Sequence, residues 1–198
     1  IKGVCRTDDG KLAIGGGTTH AVVAAEAGAY PALAALAGQI GDPAVRNRGT
    51  IGGSLANNDP SACYPAAALA SGATIVTNAR EIAADDYFQG MFTTALEEGE
   101  IVTEVKFPVA EKASYMKFLQ PASRFALTGV FVAKYADGVR VAVTGASEEG
   151  VFRWTDPIPM TPDGPRPLEW HNHDGRVWKV NTGYSTQMMS PLSRRVIG

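Results

Sequence analysis

The sequence predicts an α+β fold, and three observations carry that reading. Helical periodicity occupies the first part of the chain, where Leu33, Leu36, Ala37 and Ile40 share one face of a segment from Tyr30 to Ile40. Period-two alternation and turn signals occupy the later part. They are clearest in Val130 to Lys134, the turn Ala136-Asp137-Gly138, and Val139 to Thr144. Helices gathered ahead of antiparallel strands imply a mixed or antiparallel sheet with flanking helices.

Residues 1–17 read as strand, turn and strand, with Asp8-Asp9-Gly10 turning between Val4 and Leu12-Ala13-Ile14. Gly15-Gly16-Gly17-Thr18-Thr19-His20 reads as a close strand-to-helix turn, with Thr18 or Thr19 capping a helix near 19–27. Its glycines lack both the G-x-G-x-x-G spacing and the lysine of a phosphate loop. Pro31 suits the first turn of the helix to Ile40. The run from Arg46 to Pro60 follows, with three glycines, two arginines, three asparagines and Thr50, Ser54 and Asp59. Such a run is expected to form neither a strand nor a helix core. Its glycines let a ligand approach the main chain. Free N–H groups beside small hydroxyl side chains suit an anion such as a phosphate.

Residues 60–71 read as an alanine-rich helix ending at Ser71-Gly72. Ala73 to Thr77 is a strand, Asn78-Ala79-Arg80 a turn, and Glu81 to Ala84 its hairpin partner. Asp85 to Gly90 resembles a capped helical turn. Glu100 to Phe107 alternates, with Ile101, Thr103, Val105 and Phe107 on one side, and stops at Pro108. Ser114 to Leu119 is a further strand.

The bulk composition excludes several classes. A net charge of −2 over 198 residues argues against nucleic acid as a partner. No apolar run approaches the ~20 residues of a membrane span. Two cysteines, Cys5 and Cys63, are too few for a disulfide scaffold and imply reduced thiols in a cytoplasmic protein. Composition shifts near residue 152. All three tryptophans, two of the three histidines and half of the twelve prolines lie beyond it, in a tail without helical periodicity. His171 and His173 suit one face of a strand, but no third ligand pattern accompanies them, so no metal site is expected.

The stretch Ile40-Gly41-Asp42-Pro43-Ala44-Val45 followed by Arg46-Asn47-Arg48-Gly49-Thr50-Ile51-Gly52-Gly53-Ser54-Leu55-Ala56-Asn57-Asn58-Asp59-Pro60 resembles the second flavin loop of a known family. The family is the FAD-binding medium subunits of molybdenum hydroxylases, the xanthine dehydrogenase, aldehyde oxidase and carbon monoxide dehydrogenase relatives. Ala13-Ile14-Gly15 with Thr18-Thr19-His20, Glu98 to Val102, Tyr115 to Phe118, and Pro121 to Leu127 fit the same family in the same order. The resemblance implies an FAD-binding domain of the vanillyl-alcohol-oxidase/molybdopterin-dehydrogenase type. It places an FAD domain over residues 1–108, the start of a small C-terminal α/β subdomain over 109–153, and leaves 154–198 unassigned.

The resemblance also implies a role. Such a subunit holds FAD, takes electrons from [2Fe-2S] clusters on a small iron–sulfur subunit, and passes them to an external acceptor. Substrate is oxidised at a molybdenum-pterin on a large subunit, within a dimer of heterotrimers. Thr50, Gly52, Gly53 and Ser54 then offer N–H groups and hydroxyls to the pyrophosphate, Ile51 and Asn57 join them as cofactor-binding residues, and Asp59 faces the ribose or braces its own loop. Ile40 and Gly41 line the flavin side, Ile101 or Val102 packs on a ring plane, and Lys117 marks the polar edge of the flavin. Arg46 and Arg48 brace the loop or face a partner. Ser54 stands where many relatives carry asparagine, and Cys63 where many carry aspartate. The family's first flavin loop precedes the region matching Ile1, so the chain reads as a member lacking it. A second function follows from that gap, a non-catalytic assembly module that no longer binds FAD. A stand-alone flavin oxidase would need a substrate domain that nothing in the chain supplies.

Overall fold

The computed structural model describes residues 1–155 and five short strand segments beyond them: Met160–Thr161, Gly164–Pro165, Leu168–His171, Val177–Val180 and Met189–Pro191. Ile1–Trp154 and Thr155–Gly198 are two separate compact units. In the second, Leu168–His171 and Met189–Pro191 both pair antiparallel with Val177–Val180. His171 thus falls on a strand, whereas His173 lies outside the described residues.

The first unit carries two antiparallel sheets of five and four strands, and a two-stranded one formed by Phe88–Gly90 and Thr93–Thr94. One is built from β1 (Val4–Arg6), β2 (Leu12–Gly15), β3 (Thr74–Thr77), β4 (Glu81–Ala83) and, after β5 (Phe88–Gly90) and β6 (Thr93–Thr94), β7 (Val102–Phe107). Its order is β1-β2-β7-β3-β4, which places β7 at the centre. The other is built from β8 (Lys112–Leu119), β9 (Ala126–Tyr135), β10 (Gly138–Thr144) and β11 (Phe152–Trp154), in the order β11-β10-β9-β8. All three hairpin expectations hold, since Val4 pairs with Ile14, Ile75 with Ile82 and Gly138 with Tyr135.

The helices are α1 (His20–Glu26), α2 (Pro31–Gly38), α3 (Pro43–Arg48), α4 (Ile51–Asn57), α5 (Tyr64–Ser71) and the single turn α6 (Ala84–Tyr87). Leu33, Leu36, Ala37 and Ile40 are buried as the periodicity requires. The alanine-rich α5 is buried along its whole length, because alanines let it pack closely against β9, β10 and β11. Gly72 closes it with φ of 62°, a left-handed cap that glycine adopts without steric cost. Tyr30, at the start of α2, shares a hydrogen bond of 2.9 Å with the Ser71 hydroxyl at the end of α5.

Two sequence expectations are corrected. The Arg46–Pro60 run contains helix: α3 ends at Arg48 and α4 spans Ile51–Asn57. Propensity disfavours Gly52 and Gly53 in a helix, but packing of Ile51 and Leu55, both fully buried, overrides it. The second correction concerns β7. Val105 and Phe107 point inward, but Val76 opposes Glu104 while Thr77 opposes Val102, which leaves Thr103 as a bulged residue. The bulge reverses the phase, so Val102 is buried and Ile101 is 55% exposed.

Candidate functional site

α4 is fastened at both ends, and this fixes which of its atoms face solvent. At its start, Thr50 is extended and its side-chain oxygen accepts the Gly53 N–H at 3.1 Å. Ile51 N–H donates to Thr18 O, Gly52 N–H to Gly16 O, and Ser54 N–H to Thr50 O. The Gly52, Gly53 and Ser54 N–H groups expected to be free for an anion are therefore already engaged within the chain. This corrects the backbone cradle read from the glycines. The donors that remain are side-chain groups: the Thr50 hydroxyl hydrogen, the Ser54 hydroxyl and the Asn57 amide.

The two glycines have different causes. A Cβ at Gly52 would lie 2.7 Å from Gly16 O and 2.9 Å from Gly16 Cα. Gly16 is itself wedged, since its Cβ would lie 2.0 Å from Val102 O. Gly52 thus lets α4 rest on β2 and β7. Gly53 has no such reason, being exposed, and its Cβ would meet only Thr50 Oγ1, at 3.0 Å. With Thr50 three residues before it and Asn57 four after it, Gly53 is the floor of a bare strip of helix surface edged by polar side chains.

At the other end, Asn58 is left-handed with φ of 44°. Its side-chain amide donates to Gly90 O at 2.7 Å and Thr93 O at 2.9 Å, and its carbonyl accepts the Phe92 N–H at 3.0 Å. A left-handed asparagine gives no signal of its own inside an Asn-Asn-Asp run, so this role is not visible in the sequence. Asp59 accepts the Ser61 N–H at 2.8 Å, so it braces its own turn. Thr144 Oγ1 ties that turn to β10 by donating toward Pro60 O and Ala62 O, at 2.7 and 2.9 Å.

The remaining predicted residues divide. Ile51 and Val102 belong to the core, and Ile40 is only 9% exposed. Gly41 is buried with φ of +50°, and a Cβ there would lie 2.8 Å from Val45, so the turn itself requires glycine. Arg46 donates to Ile40 O at 3.1 Å and Gly41 O at 2.8 Å, the bracing role expected of it. Lys117 is half-buried. Its ammonium donates to Gln39 O and Arg124 O, each at 2.7 Å, and lies 3.7 Å from Cys63 Sγ. It is not a bare cation, and it ties the end of α2 to the segment after β8. At the site Gly53, Asn57 and Ile101 are thus exposed, and Thr50, Ser54, Asp59 and Lys117 half-buried.

Against the turn between α3 and α4 lies His20, which the sequence marks as a helix start. His20 starts α1, and its N–H donates to Gly49 O at 3.0 Å. A Cβ at Gly49 would lie 2.5 Å from His20 Nε2, so Gly49 is glycine to admit the imidazole. The ring lies 5.3 Å from that of Tyr64. Burial pulls the His20 pKa down to about 4, so the imidazole is neutral at pH 7. Burial also raises the Tyr64 phenol well above its ordinary range.

These residues fit an FAD pyrophosphate through side-chain donors, on a strip that a Cβ at Gly53 would fill, with an exposed aliphatic side chain at Ile101 for an apolar contact. Comparison with known proteins shows the family. A family model described as the FAD binding domain in molybdopterin dehydrogenase matches residues 1–110. The chain is 41% identical over 100 residues to the glyceraldehyde dehydrogenase medium chain of Sulfolobus acidocaldarius, covering 48% of this chain and 36% of that one. It is 37% identical over 141 residues to the nicotine 6-hydroxylase medium subunit of Paenarthrobacter nicotinovorans, covering 65% and 50%. Among solved structures, carbon monoxide dehydrogenase from Hydrogenophaga pseudoflava superimposes with a TM-score of 0.68 at 30% identity, covering 77% of this chain and 57% of that one. The chain spans about half or less of the length of these curated relatives. With the family model matched over more than half of its 198 residues, the chain belongs to the FAD-binding domain family of the molybdopterin dehydrogenases.

Proposed function

We propose that this chain is the FAD-carrying electron-transfer part of a molybdenum-containing hydroxylase or dehydrogenase. Electrons arrive from [2Fe-2S] clusters on a small subunit and leave to an external acceptor. Substrate is oxidised at a molybdenum-pterin on a large subunit, in a cytoplasmic dimer of heterotrimers. The observation that carries this reading is the strip at Thr50, Gly53, Ser54 and Asn57, with Gly53 and Asn57 exposed and Thr50 and Ser54 half-buried, within the segment that the family model matches. FAD, when bound, supplies the redox chemistry, and the protein positions it.

The chain's own residues perform three tasks in this reading. Thr50, Ser54 and Asn57 donate hydrogen bonds to the pyrophosphate, and Gly53 leaves the space for it. Ile101 covers a ring plane and excludes water from it. Asn58, Asp59, Arg46 and Lys117 hold the surrounding turns by the bonds described above.

The engaged N–H groups of residues 51–54 favour a second reading, an assembly module that retains the fold without the cofactor. Co-expression with the partner subunits separates the two. The proposal expects bound flavin in the purified complex, with the absorption of an oxidised isoalloxazine that bleaches on adding substrate. A complex with iron–sulfur and molybdenum centres but no flavin supports the assembly module instead.

A further inference from the structure

Cys63 ends the turn that follows α4, and Lys117 projects from β8. Cys63 is 4% exposed, and its sulfur lies 3.7 Å from Lys117 Nζ. The lysine's other two contacts are backbone carbonyls, Gln39 O and Arg124 O, at 2.7 Å each. An ammonium has three protons in a rotating fork, so two carbonyls leave the third for the sulfur. Tyr115, on the same strand as Lys117, is 5% exposed. Its hydroxyl is sealed from solvent beside Cys63 and makes no well-formed hydrogen bond. Gly129 leaves room for that hydroxyl, since a Cβ there would lie 2.5 Å from it. Buried hydroxyls are normally satisfied. An unpartnered one beside a thiol and an amine is poised to bond an atom placed between them. The segment 121–125 next to Lys117 is exposed, which gives a small oxidant a route to the pair.

We propose that Cys63 and Lys117 are a covalent modification site, joined on oxidation by dioxygen through one bridging oxygen, Nζ–O–Sγ. The Lys117 ammonium first gives one proton to solvent; the S–H bond and the two remaining N–H bonds then provide three hydrogens. Two leave with the second oxygen atom as water, and one stays on nitrogen. Sulfur and nitrogen each give up two electrons, and dioxygen takes up all four. The Tyr115 hydroxyl donates a hydrogen bond to the bridging oxygen. The bridge draws Nζ toward Cys63 and away from Gln39 O and Arg124 O, so oxidation releases the segment after β8 from the end of α2. Reduction by a dithiol restores thiol and amine.

The test uses the full protein purified in its complex, once in air-saturated buffer and once anaerobically with dithiothreitol. Proteolysis and mass spectrometry then map Cys63 and Lys117. The air-exposed sample should yield a cross-linked peptide pair about 14 Da heavier than the sum of its parts, one oxygen gained and two hydrogens lost. The pair should fall at least tenfold under dithiothreitol and vanish in Cys63→Ser and in Lys117→Arg. Lys117→Arg keeps donors for both carbonyls, so it reports even where Cys63→Ser misfolds. The proposal is overturned if Cys63 stays a free thiol in air, or if it gains only about 16, 32 or 48 Da while Lys117 remains unmodified.

Discussion

Adjacent glycines on α4 should fail in opposite ways when each gains a methyl group. In Gly52→Ala the new Cβ meets backbone, 2.7 Å from Gly16 O, and the Gly52 N–H to Gly16 O bond of 2.9 Å holds the two segments at that spacing. Gly16 cannot retreat, because it already abuts Val102 O. The helix must lift from β2 and β7, and overpacking of this kind costs about 1–3 kcal/mol. With a urea slope of about 1–3 kcal/mol per molar, the unfolding midpoint should drop by roughly 1 M. In Gly53→Ala the methyl meets only Thr50 Oγ1, at 3.0 Å, and otherwise points to solvent. Higher helix propensity, worth up to about 1 kcal/mol, offsets that crowding, so stability should stay within about 1 kcal/mol of the parent. The same methyl fills the strip between Thr50 and Asn57. Loss of one charge-assisted bond to a phosphate, about 1.5–3 kcal/mol, should weaken FAD retention roughly tenfold to hundredfold. Urea denaturation and FAD titration of both variants decide the matter. A stable Gly52→Ala, or a Gly53→Ala that loses stability while binding FAD normally, would refute this assignment.

Other perturbations follow from the same contacts. Ile101→Asp should leave the unfolding midpoint unchanged and lower FAD retention, whereas Val102→Asp should unfold the domain, which circular dichroism and flavin content would separate. Asn58→Ala loses two side-chain hydrogen bonds and a tolerated left-handed residue, for about 2–4 kcal/mol. Asn58→Gly should recover only the backbone part in chemical denaturation. His20 has a folded pKa of about 4 against an unfolded value near 6.5, so the unfolded chain takes up the proton first as pH falls. Stability should decline from pH ~6.5 to pH ~4, by about 3 kcal/mol for this group, and flatten below. His20→Gln should abolish that part of the pH dependence in thermal unfolding.

Most of the fold was legible because its signals are local. Pro31 and the apolar face to Ile40 marked α2, Asp8-Asp9-Gly10 and Ala136-Asp137-Gly138 marked two hairpins, and Ser71-Gly72 marked the end of α5. The failures depend on contacts between distant segments. Gly52 and Gly53 look alike in sequence, and only Gly16 behind one of them tells them apart. Ile101 and Val102 exchanged faces because a bulge opposite Val76 shifts the phase, and alternation carries no trace of a bulge. Lys117 was readable as a cation but not as one already held by Gln39 and Arg124. His20 and Gly49 interlock across 29 residues, and their pairing appears in neither segment's pattern.

The account rests most heavily on this chain holding FAD at the Thr50–Asn57 strip. Flavin, iron and molybdenum measured together in the co-purified complex test that directly, for the parent and for Gly53→Ala. Flavin is expected in the parent and should be depleted in the variant, with iron and molybdenum unchanged in both. A complex with full iron and molybdenum but no flavin, or a variant that keeps its flavin, would contradict it.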